Sequence, residues 1–347
     1  MNRYGTPGTD WIYGTDDSDM LVGLGGNDYL YGGGGEDLLI GGAGPDTLYG
    51  DTAYTHGTEF DMAAYWDSPS SVIVNLSTGR GYGGTAEGDI LVDIEGLFGS
   101  EFGDILVGNA QANVLDGMGG NDILMGLDGN DELFGNIGDD LLIPGSGADV
   151  LNGGPDDDTV DYSWGAGSGV WASLLFGGIS GDAAGDTYLW VENLIGTAYV
   201  DYLQGDNAAN VLSGGAGDDW LWGEDGDDKL DGGEGIDVLT GGAGADTFVF
   251  RHTSDTGSSL STADLIWDFD PSLDRIDLQQ VDANTKTDLH QGFEFIGMAD
   301  FTAPGQVRWS IEGSETVVWM NTDGDLAPDA AIRLAGAPLL GSDHFLL

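Results

Sequence analysis

Residues 117–143 read GMGGNDILM-GLDGNDELF-GNIGDDLLI, which is one nonapeptide pattern repeated three times in direct succession. Each copy has Gly at positions one and four, Asp at position six and Leu at position eight. Repetition at a short fixed period predicts a solenoid, in which every repeat packs mainly against its neighbours. The extent of this register along the chain therefore decides the fold.

The register extends over three uninterrupted runs, residues 5–49, 99–161 and 196–249. They hold five, seven and six nonapeptides, which makes 18 in all. Position six is Asp or Asn in every repeat, and position eight is Leu, Ile, Val or Phe. Chance does not maintain two such positions over 18 repeats, so the three runs are predicted to share one structure.

Each part of the repeat has a structural consequence. Gly at positions one, two and four lets a six-residue turn bend tightly through positive φ and aim several carbonyl oxygens at one point. Asp at position six adds a carboxylate, which completes the oxygen environment that Ca²⁺ prefers. The last three residues predict a short strand whose middle side chain points inward. Two nonapeptides form one coil, so each turn stacks on the turn 18 residues later, with an ion between them.

These features predict an all-β chain, a right-handed parallel β-roll or β-helix solenoid with three calcium-binding blocks. The nonapeptide resembles the glycine-rich calcium-binding repeat of RTX proteins, and the resemblance implies several Ca²⁺ ions. The alternative is a Gly- and Asp-rich solenoid without metal. It is disfavoured because a stacked column of carboxylates is costly to bury without counter-ions.

The strongest candidate calcium sites are turns with Gly at position four and Asp at position six. Turns with Asn113 or Asn210 at position six are expected to bind calcium weakly or not at all, because Gln111 and Ala208 also replace Gly at position four of these turns. The candidate metal residues are Gly26 and Asp28, Gly35 and Asp37, Gly44 and Asp46, Gly120 and Asp122, Gly129 and Asp131, Gly138 and Asp140, Gly147 and Asp149, Gly217 and Asp219, Gly226 and Asp228, Gly235 and Asp237, Gly244 and Asp246, and, without Gly at position four, Asp19 and Asp158.

Composition narrows the classes of function. The chain carries 61 acidic and 8 basic residues, a formal charge of -53, which excludes a phosphate-binding basic face and opposes compaction without counter-ions. There is no Cys for disulfides or thiolate metal sites, and no apolar run reaches membrane-spanning length. The N-terminus shows no signal peptide, which indicates a cytosolic protein or export by a route that does not use the N-terminus.

Two segments outside the register, 51–98 and 162–195, resemble each other. SSVIVNLSTG from Ser70 matches SGVWASLLFG from Ser168, and EGLFGS from Glu95 matches ENLIGT from Glu192. The chain is therefore predicted to contain a duplication of insert plus roll. Alternating apolar residues indicate strands, so each insert is expected to form metal-free coils that continue the solenoid; a separate small β domain is the alternative.

Aromatic residues occupy the outward strand positions of the first run. Tyr13, Tyr31 and Tyr49 recur every 18 residues at position nine, with Trp11 and Tyr29 beside them at position seven. Such a column is too apolar to be left simply in water. It is predicted either to be covered by another part of the chain or to bind sugar rings or a second copy of the protein.

The composition changes after Thr247. The stretch Asp264–Leu278, the later Phe293–Gly297 and the final Asp343-His-Phe-Leu-Leu347 resemble the C-terminal domain of the serralysin family, which also occurs in mannuronan C-5-epimerases and other RTX proteins. In that family an acidic residue followed by apolar residues at the C-terminus is recognised by type I secretion machinery. The resemblance therefore implies a secreted, extracellular protein, in some cases associated with the cell surface.

One further loop in this C-terminal part is acidic. Asn321, Asp323, Asp325 and Asp329 are spaced like a short calcium loop, but Ile332 stands where an EF-hand would have its bidentate Glu. The loop is either an extra metal site or a polar turn.

No catalytic pattern is present. The four His residues are isolated, with no HExxH helix such as serralysins use, and there is no GxSxG, P-loop or Cys nucleophile. We therefore expect no enzymatic activity. The remaining hypotheses are a calcium-dependent structural or adhesive protein, a calcium-dependent polysaccharide-binding module similar to the repeat modules of alginate epimerases, and an enzyme with an unrecognised site in an insert.

The sequence thus predicts six consecutive segments. They are roll block 1 (1–50), the first insert (51–98), roll block 2 (99–161), the second insert (162–195), roll block 3 (196–249) and a serralysin-like C-terminal β domain (250–347) that carries the secretion signal. Calcium and type I secretion machinery are the predicted partners, with extracellular polysaccharide or self-association as further candidates.

Overall fold

The computed structural model describes residues 1–51, 59–286, 290–323 and 325–347. Two compact units divide the chain: unit 1 comprises Met1–Asp161 with Ala183–Val191, and unit 2 comprises Tyr162–Asp182 with Glu192–Leu347. The described residues form strands, turns and three short 3-10 helices, without an α-helix. The predicted all-β fold of parallel strands is confirmed.

Short strands follow one another in the first run, the first insert and the second run. They are β1 (Asn2–Tyr4), β2 (Trp11–Tyr13), β3 (Met20–Val22), β4 (Tyr29–Gly33), β5 (Leu38–Ile40), β6 (Thr47–Asp51), β7 (Met62–Ala64), β8 (Ile73–Asn75), β9 (Arg80–Tyr82), β10 (Ile90–Val92), β11 (Gly96–Phe98), β12 (Ile105–Val107), β13 (Val114–Asp116), β14 (Ile123–Asp128), β15 (Glu132–Phe134), β16 (Leu141–Ser146), β17 (Val150–Asn152) and β18 (Thr159–Asp161). The 3-10 helix η1 (Gly84–Ala86) lies between β9 and β10.

The rest of the chain continues with short strands and ends in a longer meander. Its strands are β19 (Trp171–Ser173), β20 (Gly177–Ser180), β21 (Thr187–Leu189), β22 (Asn193–Ile195), β23 (Tyr202–Gln204), β24 (Val211–Ala216), β25 (Trp220–Asp225), β26 (Lys229–Glu234), β27 (Val238–Ala243), β28 (Thr247–Val249), β29 (Asp264–Ile266), β30 (Arg275–Asp277), β31 (Glu294–Phe295), β32 (Gln306–Glu312), β33 (Glu315–Asn321), β34 (Ala330–Ala335) and β35 (Phe345–Leu346). The 3-10 helices η2 (Gly181–Ala183) and η3 (Ser342–His344) complete the elements.

Successive strands of a roll alternate between two parallel sheets. In unit 1 one sheet has the order β1-β3-β5-β7-β11-β13-β15-β17-β21, and the other contains β2-β4-β6-β10-β9-β8-β12-β14-β16-β18. Paired residues lie 18 apart, as in Ile12 opposite Leu30 and Leu30 opposite Leu48. Two nonapeptides therefore make one coil, as the register predicts.

The core is a column of aliphatic side chains between the two sheets. Leu30, Leu48, Leu124 and Leu142 are fully buried, and all of them occupy position eight. Because the side chains of a strand alternate between its faces, positions seven and nine point outward. The register assigned from the sequence is therefore correct.

The first insert continues both sheets of unit 1 but in two different ways. Strand β7 pairs in parallel with β5 and β11, as the next coil of a solenoid would. In the other sheet, β8 and β9 form an antiparallel hairpin between the parallel partners β12 and β10. The second insert repeats the succession of strand, strand, 3-10 helix, strand and strand from β19 to β22, which supports a duplication.

Unit 2 contains the third run and the C-terminal residues. Strands β22-β24-β26-β28-β30-β35 follow one another in one sheet, and the other has the order β20-β19-β23-β25-β27-β29-β34-β33-β32-β31. The antiparallel strands β32, β33 and β34 join this second sheet where β34 pairs in parallel with β29. The C-terminal residues thus extend the roll through shared sheets.

Candidate calcium-binding turns

Buried Asp residues at position six form columns along the stacked turns. The N–H of each donates to Oδ1 of the Asp one coil later: Asp28 to Asp46 at 2.7 Å, Asp131 to Asp149 at 2.7 Å. The same bond joins Asp219 to Asp237 at 2.8 Å in unit 2. One carboxylate oxygen of each turn is therefore fixed by the neighbouring coil.

The second carboxylate oxygen has no hydrogen-bond partner in most of these turns. Each of these Oδ2 atoms is inaccessible to solvent, which is a costly state for a carboxylate that nothing compensates. The residues concerned are Asp28, Asp37, Asp46, Asp122, Asp131, Asp140, Asp149, Asp219, Asp228, Asp237 and Asp246. All eleven turns combine Gly at position four with Asp at position six; the turn of Gly8 and Asp10 has the same two residues, but there Thr6 donates its N–H to Asp10 Oδ2.

The Gly residues of a turn allow backbone carbonyl oxygens to lie close to the same Oδ2 atoms. Gly129 and Gly226, at position four, have φ of 136° and 139°, in the region that favours Gly. A Cβ on Gly126, at position one, would meet Asp131 Oδ2 and the carbonyl oxygen of Pro144 from the next coil. The space beside Asp131 Oδ2 is thus lined by oxygen atoms, and a side chain at Gly126 would fill it.

Burial raises the pKa of these carboxyl groups. Desolvation is the largest cause, and the charges of neighbouring column members add to it. The pKa of Asp122 and that of Asp219 rise to about 8, and those of Asp131, Asp228 and Asp237 to about 7. The ionised form therefore requires a compensating positive charge in the turn.

The donor set fits a hard divalent cation. Among the described residues, no three His, Asp or Glu side chains converge as a metal cluster. Each turn instead offers one carboxylate together with carbonyl oxygens, and oxygen-only sites of flexible geometry suit Ca²⁺ better than softer metals.

Asp residues outside the nonapeptide register continue or end several columns. The N–H of Asp37 donates to Oδ1 of Asp61, and that of Asp46 to Oδ1 of Asp89, both at 2.8 Å. Sequence reasoning missed these residues. Each directly precedes a three-residue strand, as position six does, and that local signal could have found them. Asp186 and Asp274 are of the same kind, and Asp264 accepts the same bond from Asp237 but is itself the first residue of β29.

Two of the candidate residues without Gly at position four differ from each other. Asp19 Oδ2 accepts hydrogen bonds from the N–H of Thr15 at 2.6 Å and its hydroxyl at 2.8 Å, so protein donors already engage this oxygen. Asp158 is buried, and its Oδ1 accepts the N–H of Asp140 at 2.8 Å, as in the other columns.

The acidic loop near residue 323 uses its side chains to hold its own backbone. Asp329 Oδ2 accepts the N–H of Thr322 at 2.6 Å, and Asp325 Oδ1 accepts the N–H of Ala327 at 2.8 Å. Asn321 donates to the carbonyl of Ala327 at 2.9 Å. These bonds favour the polar turn over an extra metal site.

Stacked Gly-rich turns, each with a buried Asp beside backbone carbonyls, define a calcium-binding β-roll protein. The chain belongs to the serralysin C-terminal family of peptidase family M10, whose model matches residues 27–346. A model of the RTX calcium-binding nonapeptide repeat, in four copies, matches residues 4–39. RTX nonapeptides bind multiple Ca²⁺ ions, so this chain binds several.

Solved structures with similarity to the chain include parts of an epimerase. The AlgE6R3 subunit of the Azotobacter vinelandii mannuronan C5-epimerase is 33% identical, with 43% of this chain and 78% of that chain covered and a TM-score of 0.33. For the AlgE6R2 subunit the values are 30%, 45%, 92% and 0.34. Extracellular lipase LipA from Serratia marcescens is 18% identical over 70% of this chain and 40% of that chain, with a TM-score of 0.22. No curated protein matches significantly.

Proposed function

We propose that this chain is exported unfolded and folds outside the cell when calcium fills its turns, where it has a structural or adhesive role. The observation that carries the proposal is the set of eleven buried Asp Oδ2 atoms without hydrogen-bond partners. An ion beside each of them supplies the positive charge that the turn lacks. At the low calcium concentration of the cytosol the same carboxylates oppose folding.

Each proposed ion lies between two stacked turns. Asp131 illustrates the arrangement: its Oδ2 faces the carbonyl of Pro144 across the position of a Gly126 Cβ, while its Oδ1 accepts the N–H of Asn113 from the preceding coil. The carboxylate thus contacts both neighbouring coils. The proposed ion binds to Oδ2 and adds a further link between these coils. The predicted Gly residues at position four act by orienting the carbonyl groups.

The proposed role is non-catalytic. RTX repeats and serralysin C-terminal domains are non-catalytic modules, and the described His residues have structural partners. His290 Nε2 contacts the carbonyl of Gln279 at 2.8 Å, and His344 Nδ1 accepts the N–H of Gly341 at 2.8 Å. His56 lies outside the described residues. No described helix is long and apolar enough to cross a membrane.

Removing Asp343–Leu347 is expected to abolish or sharply reduce export by a type I secretion system. In the fold these residues are docked, because Phe345 pairs opposite Ile276 and its ring lies 5.3 Å from that of Phe295. In the unfolded cytosolic chain they are free to be recognised. The measurement is the ratio of secreted to cell-associated protein in a host with the exporter.

Phe295→Ala is the control for this deletion, because it removes the ring that packs on Phe345 and leaves the terminal residues in place. It should be exported at the normal level. Normal export of the truncated chain would show that the terminus is not the signal.

A second candidate function, polysaccharide binding, is favoured by an aromatic surface on β19, β23 and β25. Trp171, Tyr202, Trp220 and Trp222 lie next to one another there, with ring centroids 5.5–6.3 Å apart. Trp171 and Trp220 are exposed, and Gln204 adds an amide beside them. Exposed ring faces next to hydrogen-bonding groups are suited to sugar rings.

The tyrosine column of the first run is a weaker candidate for sugar stacking. Tyr13, Tyr31 and Tyr49 stack face to face with centroids 4.8 Å apart, so the rings cover one another and present mainly their edges. Tyr13 and Trp11 remain exposed. The predicted outward direction is confirmed, and these two rings are not covered by any described part of the chain.

If polysaccharide binding is the function, a glycan array should give a signal that requires calcium and is lost in Trp220→Ala. Loss of one stacked ring is expected to weaken binding by about tenfold. Trp164→Ala is the matched control, because Trp164 is exposed outside this surface. If the calcium-loaded protein gives no glycan signal, polysaccharide binding is contradicted and the structural or adhesive role remains as the proposed function.

A further inference from the structure

The first two turns of each run differ from all later turns in the way the position-six side chain is satisfied. Its oxygen accepts the N–H of position two: Thr6 donates to Asp10 Oδ2 and Thr197 to Asp201 Oδ2, both at 2.6 Å. The other four of these six turns have the corresponding bond, in which the N–H of position two donates to position six: Thr15 to Asp19, Ser100 to Asp104, Asn109 to Asn113 and Asp206 to Asn210.

Position two also uses its side chain in these six turns. Thr6 Oγ1 accepts the N–H of Gly8 at 3.3 Å, and Asp206 Oδ1 accepts that of Ala208 at 2.7 Å. The same bond from position four to position two occurs with Thr15, Ser100, Asn109 and Thr197. Side chains of this type commonly hold such turns. In the four Thr and Ser turns the hydroxyl also donates to the Asp carboxylate.

In every later turn position two is left-handed. Leu24 has φ of 79° and Leu127 of 81°. The other residues at this position with positive φ are Gly33, Gly42, Met118, Asn136, Gly145, Gly154, Gly215, Glu224, Gly233 and Gly242. In these turns the N–H of position two does not donate to the position-six Asp of the same turn. The eleven solvent-inaccessible Oδ2 atoms described above remain without a hydrogen-bond partner.

We propose that the backbone conformation of the residue at position two decides whether a turn takes calcium, so that the first coil of each run is a metal-free cap closed by protein donors. A Thr, Ser or Asp there holds its N–H against the position-six oxygen and occupies the place of the ion, and Asn109 does the same, whereas Asn136 adopts the left-handed conformation. A residue that adopts the left-handed conformation withdraws that donor, and the carboxylate then requires Ca²⁺. This inference rests on the proposed calcium-dependent fold.

The conformational preferences of the side chains agree with this division. Thr is β-branched and resists positive φ, whereas Gly adopts it freely. Leu24 and Leu127 adopt it at a cost, since a left-handed non-Gly residue is disfavoured, and the ion in the turn offsets that cost. Each calcium column therefore begins on a coil that can close before any ion arrives.

Two substitutions test the proposal in opposite directions. Thr6→Gly changes the turn to GGPGTD, whose Gly-Gly-Pro start also occurs at residues 153–155, and should bind one more calcium ion per chain than the wild type. Leu24→Thr introduces a hydroxyl at position two of a calcium turn and should bind one fewer. Bound calcium is counted by equilibrium dialysis and metal analysis of the full chain.

Each substitution has a control of matched shape. Thr6→Ser keeps the hydroxyl and should leave the number of ions unchanged. Leu24→Val has the same branching as Thr without the hydroxyl and should keep its ion, bound more weakly. Circular dichroism in calcium establishes that each variant is folded, and the Thr6 pair remains informative if Leu24→Thr does not fold.

The inference is overturned if folded Thr6→Gly binds as many ions as Thr6→Ser, or if folded Leu24→Thr binds as many as Leu24→Val. A wild-type chain that binds no calcium, or that folds fully without it, instead contradicts the proposed function. The two failures are therefore distinguishable in the same set of measurements.

Discussion

Chelating calcium with EGTA should convert the folded chain into a largely disordered one. Extracellular-type sites bind with dissociation constants of about 10⁻⁴–10⁻³ M. At about 10 mM Ca²⁺ each filled site then contributes about 1.4–2.7 kcal/mol to stability by linkage. Eleven turns carry an uncompensated buried oxygen, so their combined contribution exceeds the net stability of about 5–15 kcal/mol typical of a folded protein.

The measurement is far-ultraviolet circular dichroism before and after EGTA, followed by re-addition of calcium. The β spectrum should disappear and then return. Mg²⁺ at the same concentration should not restore it, because Mg²⁺ demands a smaller octahedral site and gives up its water reluctantly. KCl at equal ionic strength is the control for screening of the formal charge of -53. A full β spectrum in EGTA would refute calcium-driven folding.

The regular part of the fold is predictable because its determinants are local. Nine residues specify one turn and one strand, and the 18-residue offset between partners such as Ile12 and Leu30 follows from counting. Leu30 is inward and Tyr31 outward, since a strand offers only two faces. No long-range information is needed while the period lasts.

The column members outside the nonapeptide register are not predictable in this way. Asp61 accepts the N–H of Asp37 across 24 residues, and Asp89 that of Asp46 across 43. These separations depend on how much chain the insert places between two coils, which no period encodes. The antiparallel pairing of β8 with β9 is hidden for the same reason, because alternating apolar residues indicate a strand without specifying its partner.

The limit of the sequence pattern is clearest at Asp19. By residue type its turn is a candidate site, since Asp occupies position six. The structure adds that Thr15 donates two hydrogen bonds to Asp19 Oδ2. A pattern of residue types does not reveal whether a carboxylate oxygen already has donors, and for calcium binding that is the deciding property.

Without calcium, the folded state should lose stability as pH rises from about 4 to about 8. The model-compound pKa of an Asp is 3.8, and burial raises it to about 6 for Asp140 and about 8 for Asp122 and Asp219 in the fold. Between these values the folded chain holds more protons than the unfolded chain. The free energy of unfolding therefore decreases as pH rises. It is greatest below about pH 4, and above the raised pKa values it is reduced by the full cost of burying the ionised carboxylates.

Circular dichroism of protein freed of calcium by dialysis, at pH 4, 6 and 8 and at low protein concentration, measures this dependence, with urea denaturation at each pH where a folded state remains. The folded fraction, and the urea midpoint where there is one, should fall at each step. Calcium reverses the trend, because ionised carboxylates bind the ion, so calcium affinity should weaken as pH falls through about 8 to 6. A calcium-free midpoint that rises between pH 4 and pH 8 would contradict the assigned burial of the columns.

General repulsion has the same sign, since the sequence pI is about 4.1, and the two causes must be separated. Repulsion between exposed charges is screened in about 1 M salt, where the Debye length is about 3 Å, whereas desolvation of buried groups is not.

The double variant Asp122→Asn and Asp219→Asn removes the two groups whose pKa rises to about 8. Each removed proton should reduce the slope of unfolding free energy against pH by about 1.36 kcal/mol per unit within the titration window. Asn already stands at position six in the Asn113 and Asn210 turns, so the variant retains a side chain that this fold accommodates, and an unchanged slope in high salt would assign the pH dependence to groups outside the columns.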